Sequence, residues 1–340
     1  MSSSINEIPR EALTDWPAFP QRLVEACQPA VVRGLCADWP VVRAAAQAEE
    51  GLATYLDGFA TERPGEIFLG GPGIAGRYFY SEQLDGFNFE RQEVSVREGL
   101  RRILAYARTP EKGTVYMGSL PARSYVPGFE AENALPFMPQ EVVPRIWLGN
   151  ASHVSCHYDT FENLACVVAG TRRFTLFPPD SIGDLYVGPI DRTLSGPPVS
   201  LATSAPEGDP RYPRMARARE RAVSVELMPG DALYLPKLWW HEVEATAPFN
   251  MLVNYWWDAF SSGPDAPMST MMLAMIAIAE RPAAEREAWR AFFDHYVFRP
   301  DGHPLAHLPE EQRGMLGPLR QGNYGRIRAL VMQQLRGGGR

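Results

Sequence analysis

Val223-Ser-Val-Glu-Leu-Met-Pro-Gly-Asp-Ala-Leu-Tyr-Leu-Pro-Lys-Leu-Trp-Trp-His-Glu-Val-Glu-Ala245 reads as three short strands, and that reading decides the fold class. Val223–Leu227, Ala232–Leu235 and His241–Ala245 are short runs rich in β-branched and aromatic residues, the composition that suits a pleated, half-buried surface. Met228-Pro-Gly-Asp231 joins the first two as a tight turn, in which Pro229 presets φ and Gly230 supplies the positive φ required. Working outward, the same texture recurs at Thr114–Met117, Arg145–Leu148, His153–Asp159, Leu164–Val168, Arg173–Phe177 and Met251–Trp257, with Ala169-Gly-Thr171 as a second tight turn. Many short strands with turn signals between them predict a mainly β chain, a sandwich or barrel with flanking helices.

Outside this core the texture changes. Pro29–Leu35 reads as a buried strand ending at Gly34, Val96–Ala107 has helical spacing, and the Gly and Pro cluster between Pro64 and Gly76 reads as loop. The expected organisation is an N-terminal α/β region over residues 1–112 packing on the core, a β core over 113–258, and a C-terminal helical region over 259–340. An insertion at 190–221 interrupts the core; long loops on a β scaffold often carry binding function. Its arginines 211, 214, 217, 219 and 221 are either a surface for an anionic partner or a solvated stretch beside acidic neighbours. Met268–Glu280 is apolar nearly all round and is expected to be buried, in a subunit interface of a homodimer. In Tyr324–Arg336, by contrast, Ile327, Leu330, Val331 and Leu335 share one face.

Composition bounds the function. The 340 residues are 45% apolar and 21% charged, ordinary for a globular protein, and long enough for a sizeable core. A net charge of −7 gives no global pull toward nucleic acid or anionic membrane. The N-terminus has no apolar signal-peptide segment and no apolar run is long enough to cross a bilayer, so a cytoplasmic location is expected. The four cysteines, Cys27, Cys36, Cys156 and Cys166, match no zinc spacing and read as reduced thiols.

Chemistry concentrates in His157-Tyr-Asp159 and His241. Residues two apart on a strand point to one face, so His157 and Asp159 can aim an imidazole and a carboxylate inward together. His241 is a third donor from another strand. Two histidines and one carboxylate form the ligand set of a non-haem iron(II) site that keeps coordination positions open. His-x-Asp alone is a weak pattern; the strand series, the second histidine and Asn163 raise it well above chance. His153 is a rival ligand if its strand is regular. His295, His303 and His307 read as structural or surface residues. Of Trp239, Trp240, Trp256 and Trp257, about half are expected in the core and the others along a cleft.

His157-Tyr-Asp-x-x-x-Asn163, Gly170-Thr-Arg-Arg-Phe-Thr-Leu-Phe-Pro-Pro179, Pro229-Gly-Asp-Ala-Leu-Tyr-Leu-Pro-x-x-Trp-Trp-His241 and Val253-Asn-Tyr-Trp-Trp257 together resemble the Jumonji-C/cupin-like family. The likeness is greatest to its asparaginyl-hydroxylase branch, and it extends over roughly residues 25–258. It implies a distorted double-stranded β-helix and an iron(II)- and 2-oxoglutarate-dependent dioxygenase, with His157, Asp159 and His241 binding iron. By motif position, Tyr116, Asn163, Arg172 and Asn254 would contact 2-oxoglutarate. Arg172 stands where the family often has lysine, and Arg173 is expected to face outward. Val154 replaces a hydroxyl residue of the motif, with Ser155 one place nearer the histidine. A protein or peptide substrate is the first expectation; a small metabolite, a modified tRNA base or a non-catalytic metal-binding module are the alternatives, and nucleic acid is disfavoured. A cupin isomerase, or a dioxygenase working without 2-oxoglutarate, would bind metal with no dependence on Arg172.

Overall fold

The computed structural model describes residues 5–10, 19–47, 49–191, 193–194, 196–260 and 263–337. They form two compact units, Met1–Ala259 and Phe260–Arg340. Among the described residues the first unit holds β1 (Asn6–Ile8), β2 (Ala30–Val32), β3 (Gly65–Gly70), β4 (Arg77–Tyr78), β5 (Glu90–Val94), β6 (Thr114–Pro121) and β7 (Arg145–Gly149). It continues with β8 (Ser152–His157), β9 (Glu162–Ala169), β10 (Arg172–Phe177), β11 (Val223–Leu227), β12 (Ala232–Leu235), β13 (Trp240–Ala245) and β14 (Asn250–Trp257). One sheet has nine strands in the order β1-β2-β12-β9-β14-β7-β6-β3-β5, the other five in the order β11-β10-β13-β8-β4. The chain is mainly β, with the two-sheet architecture of a cupin-like domain and helices after it.

Period-two alternation decides which residue goes where. Ala165 and Val167 of β9, Phe174 and Leu176 of β10, Leu233 and Leu235 of β12, and Leu252 of β14 meet between the sheets. Their neighbours Leu164, Cys166, Val168, Met251 and Val253 face the other way and pack with Val41, Leu52, Leu56, Leu100 and Ile103 from the N-terminal helices. β9 is therefore buried along its whole length and reads as a continuous apolar run rather than an alternating one. Each fully buried aliphatic side chain here contributes about 1.5–3 kcal/mol of transfer free energy.

The residues before Gly113 supply β1, β2, β3 and β5 to the larger sheet and β4 to the smaller. β3 corrects the expectation of loop between Pro64 and Gly76. Gly65 and Gly70 bound a six-residue strand that is hydrogen-bonded to β5 on one side and β6 on the other. Paired on both edges, this strand overrides the poor β propensity of its flanking glycines. The two tight turns form as read, with Gly170 at φ +73° and Gly230 at φ +97°. All four cysteines are free, and three of them are buried.

The second unit contains helices Pro267–Ile278, Ala283–Phe293 and Asn323–Arg336. The first forms where its composition predicts, and within the one chain described no residue of it is buried; Ile276 is 82% exposed. An all-round apolar sequence says that a helix wants cover, not that its own chain provides it. Among the described residues, no helix is long and apolar enough to cross a membrane.

Candidate metal centre and its pocket

His157 closes β8 and His241 lies directly opposite it on β13. Their ring centroids are 4.2 Å apart. Each ring is oriented by a backbone carbonyl two residues earlier: His157 Nδ1 lies 2.8 Å from Ser155 O, and His241 Nδ1 lies 3.1 Å from Trp239 O. A carbonyl can only accept, so Nδ1 carries the proton in both and the Nε2 lone pairs are left free. His241 Nε2 is 3.8 Å from Asp159 Oδ2, and one donor atom from each of the three residues lies within 4.8 Å of the others. Burial pushes the Asp159 carboxyl up from its usual range, opposed by His157. Burial, with His157 alongside, holds His241 well below the usual imidazole value. Two imidazoles with free Nε2 atoms and a carboxylate beside them suit a bound divalent cation.

Asp159 reaches this point by a different route from the one its spacing suggests. β8 ends at His157, so the two-residue alternation does not carry on to Asp159. Instead Asp159 O accepts a hydrogen bond from Leu238 N at 2.8 Å, tying the residue to the loop before His241. Leu238 itself sits at φ +67°. A β-bulge also separates His153 from the site. His241 pairs with His157 but Val243 pairs with Val154, so three steps on β8 match two on β13. His153 thereby faces outward, opposite Glu244 and in contact with Glu242. These three form a second group of close donors, in which Glu244 is also paired with Arg173 at 3.1 Å. Val154 and Ser155 both border the pocket, and Ser155 Oγ donates to Tyr78 O at 2.7 Å.

The histidines and Asp159 line a cavity of about 370 Å³ shared with Tyr116, Asn163, Arg172 and Asn254. Sequence reasoning thus names seven residues that the fold brings to one cavity. Arg172 is 3% exposed, its Nε has no hydrogen-bond partner, and burial lowers its pKa. Arg173, one residue on, points outward to Glu226 and Glu244. A buried guanidinium without a carboxylate partner costs several kcal/mol, roughly, until an anion joins it. Tyr116 stands in an aromatic wall with Tyr78 and Trp147; burial and Asp159 push its hydroxyl up to about 12, with Arg172 opposing. Asn254 Nδ2 donates to Asn163 Oδ1 at 3.0 Å, while Trp147 Nε1 donates to Asn254 Oδ1 at 2.6 Å. Both amides are thus held in one orientation.

Trp147 is a residue that the sequence reading missed, although alternation along β7 could have placed it inward. Leu194, Pro197 and Val199 of the insertion also line the cavity, and nothing in their local pattern foretells it. Their segment is tied down where Ser200 N donates to Cys156 O at 2.8 Å and Arg91 reaches Leu194 O. The insertion's arginines take the solvated reading: Arg211 pairs with Asp209, Arg214 and Arg217 with Asp184, Arg219 with Glu207, and Arg221 with Asp180. Trp239 and Trp240 are buried, Trp257 packs on the core, and Trp256 lines the cavity.

This fold and donor set define a cupin-like protein with a pocket between its sheets whose donors could hold a metal ion. The chain belongs to the Jumonji-C/cupin-like family: the model of the cupin-like domain matches residues 16–263. It is similar to Jumonji C domain-containing protein 5 of Drosophila melanogaster, 26% identical over 264 residues, 74% of this chain and 60% of that protein. It is similar also to HSPB1-associated protein 1 of Bos taurus, 31% identical over 149 residues, 42% of this chain and 30% of the relative. A third relative is the bifunctional peptidase and (3S)-lysyl hydroxylase JMJD7 of Homo sapiens, 34% identical over 151 residues, 40% of this chain and 46% of the relative. The chain thus spans between 30% and 60% of the length of these relatives.

Proposed function

We propose that this chain is an iron(II)- and 2-oxoglutarate-dependent dioxygenase that hydroxylates a side chain of a protein or peptide, releasing succinate and carbon dioxide. The observation that carries this reading is a two-histidine, one-carboxylate set sharing its cavity with a buried arginine that lacks a carboxylate partner among the described residues. The donor types fit iron(II), and the orphaned guanidinium fits the far carboxylate of a short dicarboxylate.

His157 and His241, through Nε2, and Asp159 would hold the metal. Arg172 would grip the distal carboxylate bidentately, Tyr116 would stand beside it, and Asn163 and Asn254 would flank the co-substrate. When bound, iron(II) and 2-oxoglutarate supply the oxidising power for hydroxylating a C–H bond. The chain's own residues bind, orient and exclude water. Ser155 O and Trp239 O keep each imidazole in the metal-binding tautomer. Trp147 keeps the Asn254 amide turned one way. Phe174, Val243 and Leu252 give the cavity an apolar wall, which strengthens every electrostatic contact inside it.

A protein substrate is favoured by the motif likeness to the asparaginyl-hydroxylase branch and by the (3S)-lysyl hydroxylase named among the relatives. The net charge of −7 and the ion-paired arginines of the insertion speak against nucleic acid. A homodimer through the exposed apolar helix, and a cytoplasmic location, belong to the same proposal. Anaerobic addition of iron(II) and 2-oxoglutarate is expected to give a weak visible charge-transfer band and, with air, succinate. His157→Ala should abolish both. Metal binding with no band and no succinate would instead make the chain a non-catalytic module.

A further inference from the structure

We infer that Arg145 forms a subsite at the metal-side end of the pocket for an acidic side chain of the substrate, so that the favoured partner is a peptide with aspartate or glutamate near the oxidised residue. This deepens the proposed dioxygenase reading, on which it rests for the identity of the reaction.

Arg145 opens β7 and, two residues before Trp147, shares the inner face of that strand. Its place follows from register. Arg145 pairs with Asn254, and Trp256, two residues further along β14, pairs with Asn163 near the start of β9, shortly after Asp159. Arg172 begins β10 just after the turn that follows Ala169, at the far end of β9. The two arginines therefore lie toward opposite ends of the strands that line the pocket. If Arg172 takes the co-substrate, Arg145 is left on the side where a substrate would enter.

The surroundings of Arg145 are those of a cation held ready. Its Nη1 donates to Ser119 Oγ at 2.8 Å and to Ser119 O at 3.2 Å, and its guanidinium lies over the Trp256 ring at 5.3 Å. No carboxylate among the described residues pairs with it, and its other N–H groups meet no acceptor there. Burial lowers its pKa, the sign of a charge that has lost water without gaining a counter-ion. Beside it the Trp256 indole N–H is buried and also lacks an acceptor. Phe161, 46% exposed, lies roughly parallel to the Trp256 ring at 6.5 Å and offers an apolar ledge. A single planar fork next to an aromatic ledge suits one carboxylate on a peptide; a polyanionic nucleic acid would need more free cations than this rim supplies and would face a net charge of −7.

The test uses the full chain loaded with manganese(II) and 2-oxoglutarate. The probes are randomised nonapeptide pools with one position fixed as aspartate, asparagine or lysine, and an oligothymidylate as competitor. The aspartate pool should be retained about tenfold over the asparagine pool, as one charge-assisted contact would give. Arg145→Gln should remove that ratio, Arg145→Lys should restore part of it, and Arg145→Glu should turn the preference to the lysine pool. Ser119→Ala removes the hydroxyl acceptor but not the charge and should keep the ratio. An unchanged ratio in Arg145→Gln, no ratio in the parent chain, or Arg145-dependent displacement by oligothymidylate would each overturn the subsite. Succinate release is read separately. Charge preference without succinate would sink the dioxygenase reading and leave the subsite; succinate without charge preference would do the reverse.

Discussion

Arg172 burdens the fold, because a buried guanidinium whose Nε meets no hydrogen-bond partner loses hydration there without replacing it. Two opposite effects should follow from Arg172→Gln. The metal-loaded protein should bind 2-oxoglutarate about a hundredfold more weakly, the usual scale for truncating one partner of a buried charge pair, measured by calorimetry. The melting temperature without ligand should stay level or rise, since the unpaired charge is gone. A variant that binds 2-oxoglutarate as before would show that another group holds it. At this scale alternation was a sound guide for Arg172 and Arg173, which share a strand and face opposite ways. Asp159 does lie beside His157, but a hydrogen bond to the Leu238 loop rather than strand alternation brings it there, because β8 has already ended.

Among the elements, β6 and β7 build one wall of the cavity by close approach. A Cβ added at Gly118 would lie 2.4 Å from the Trp147 ring, nearer than atoms can come. Gly118→Ala should therefore displace Trp147, release the Asn254 amide it holds, and weaken 2-oxoglutarate binding. It should also cost about 1–3 kcal/mol of stability, the usual penalty for overpacking. Paired denaturation and calorimetry check both; a loss of stability with unaltered affinity would separate Trp147 from the site. The strands β10 to β14 were legible because their β-branched runs and turn residues agree with the tertiary pairing. β3 and β5 were not, since Glu90–Val94 is a charged edge strand and Gly65–Gly70 has glycine at both ends. Their strand character comes from the neighbours they pair with.

For the whole molecule, the exposed apolar helix Pro267–Ile278 carries the main consequence. Met272 is 54% and Ile276 82% exposed, a surface that a lone chain in water would hide at a gain of about 25 cal/mol for each Å². The homodimer proposal predicts a dimer by light scattering at micromolar concentration, converted to monomer by Ile276→Glu with the helix content unchanged. A monomer in the parent chain would remove that proposal without touching the pocket.

The sequence by itself determined the mainly β class and the strands from Arg145 onward, because local periodicity and turn chemistry act over a few residues and leave a readable pattern. It also offered His157, Asp159 and His241 as a donor set, while motif likeness supplied Tyr116, Asn163, Arg172 and Asn254. The family likeness carried the roles offered for those residues. Tertiary structure alone decided what depends on distant pairing. The bulge in β8 turned His153 outward, the loop at Leu238 directed Asp159 inward, and the insertion brought Leu194, Pro197 and Val199 to the cavity wall. Each of these is a hydrogen bond or a register between segments far apart in the chain, and such contacts leave no period in the sequence.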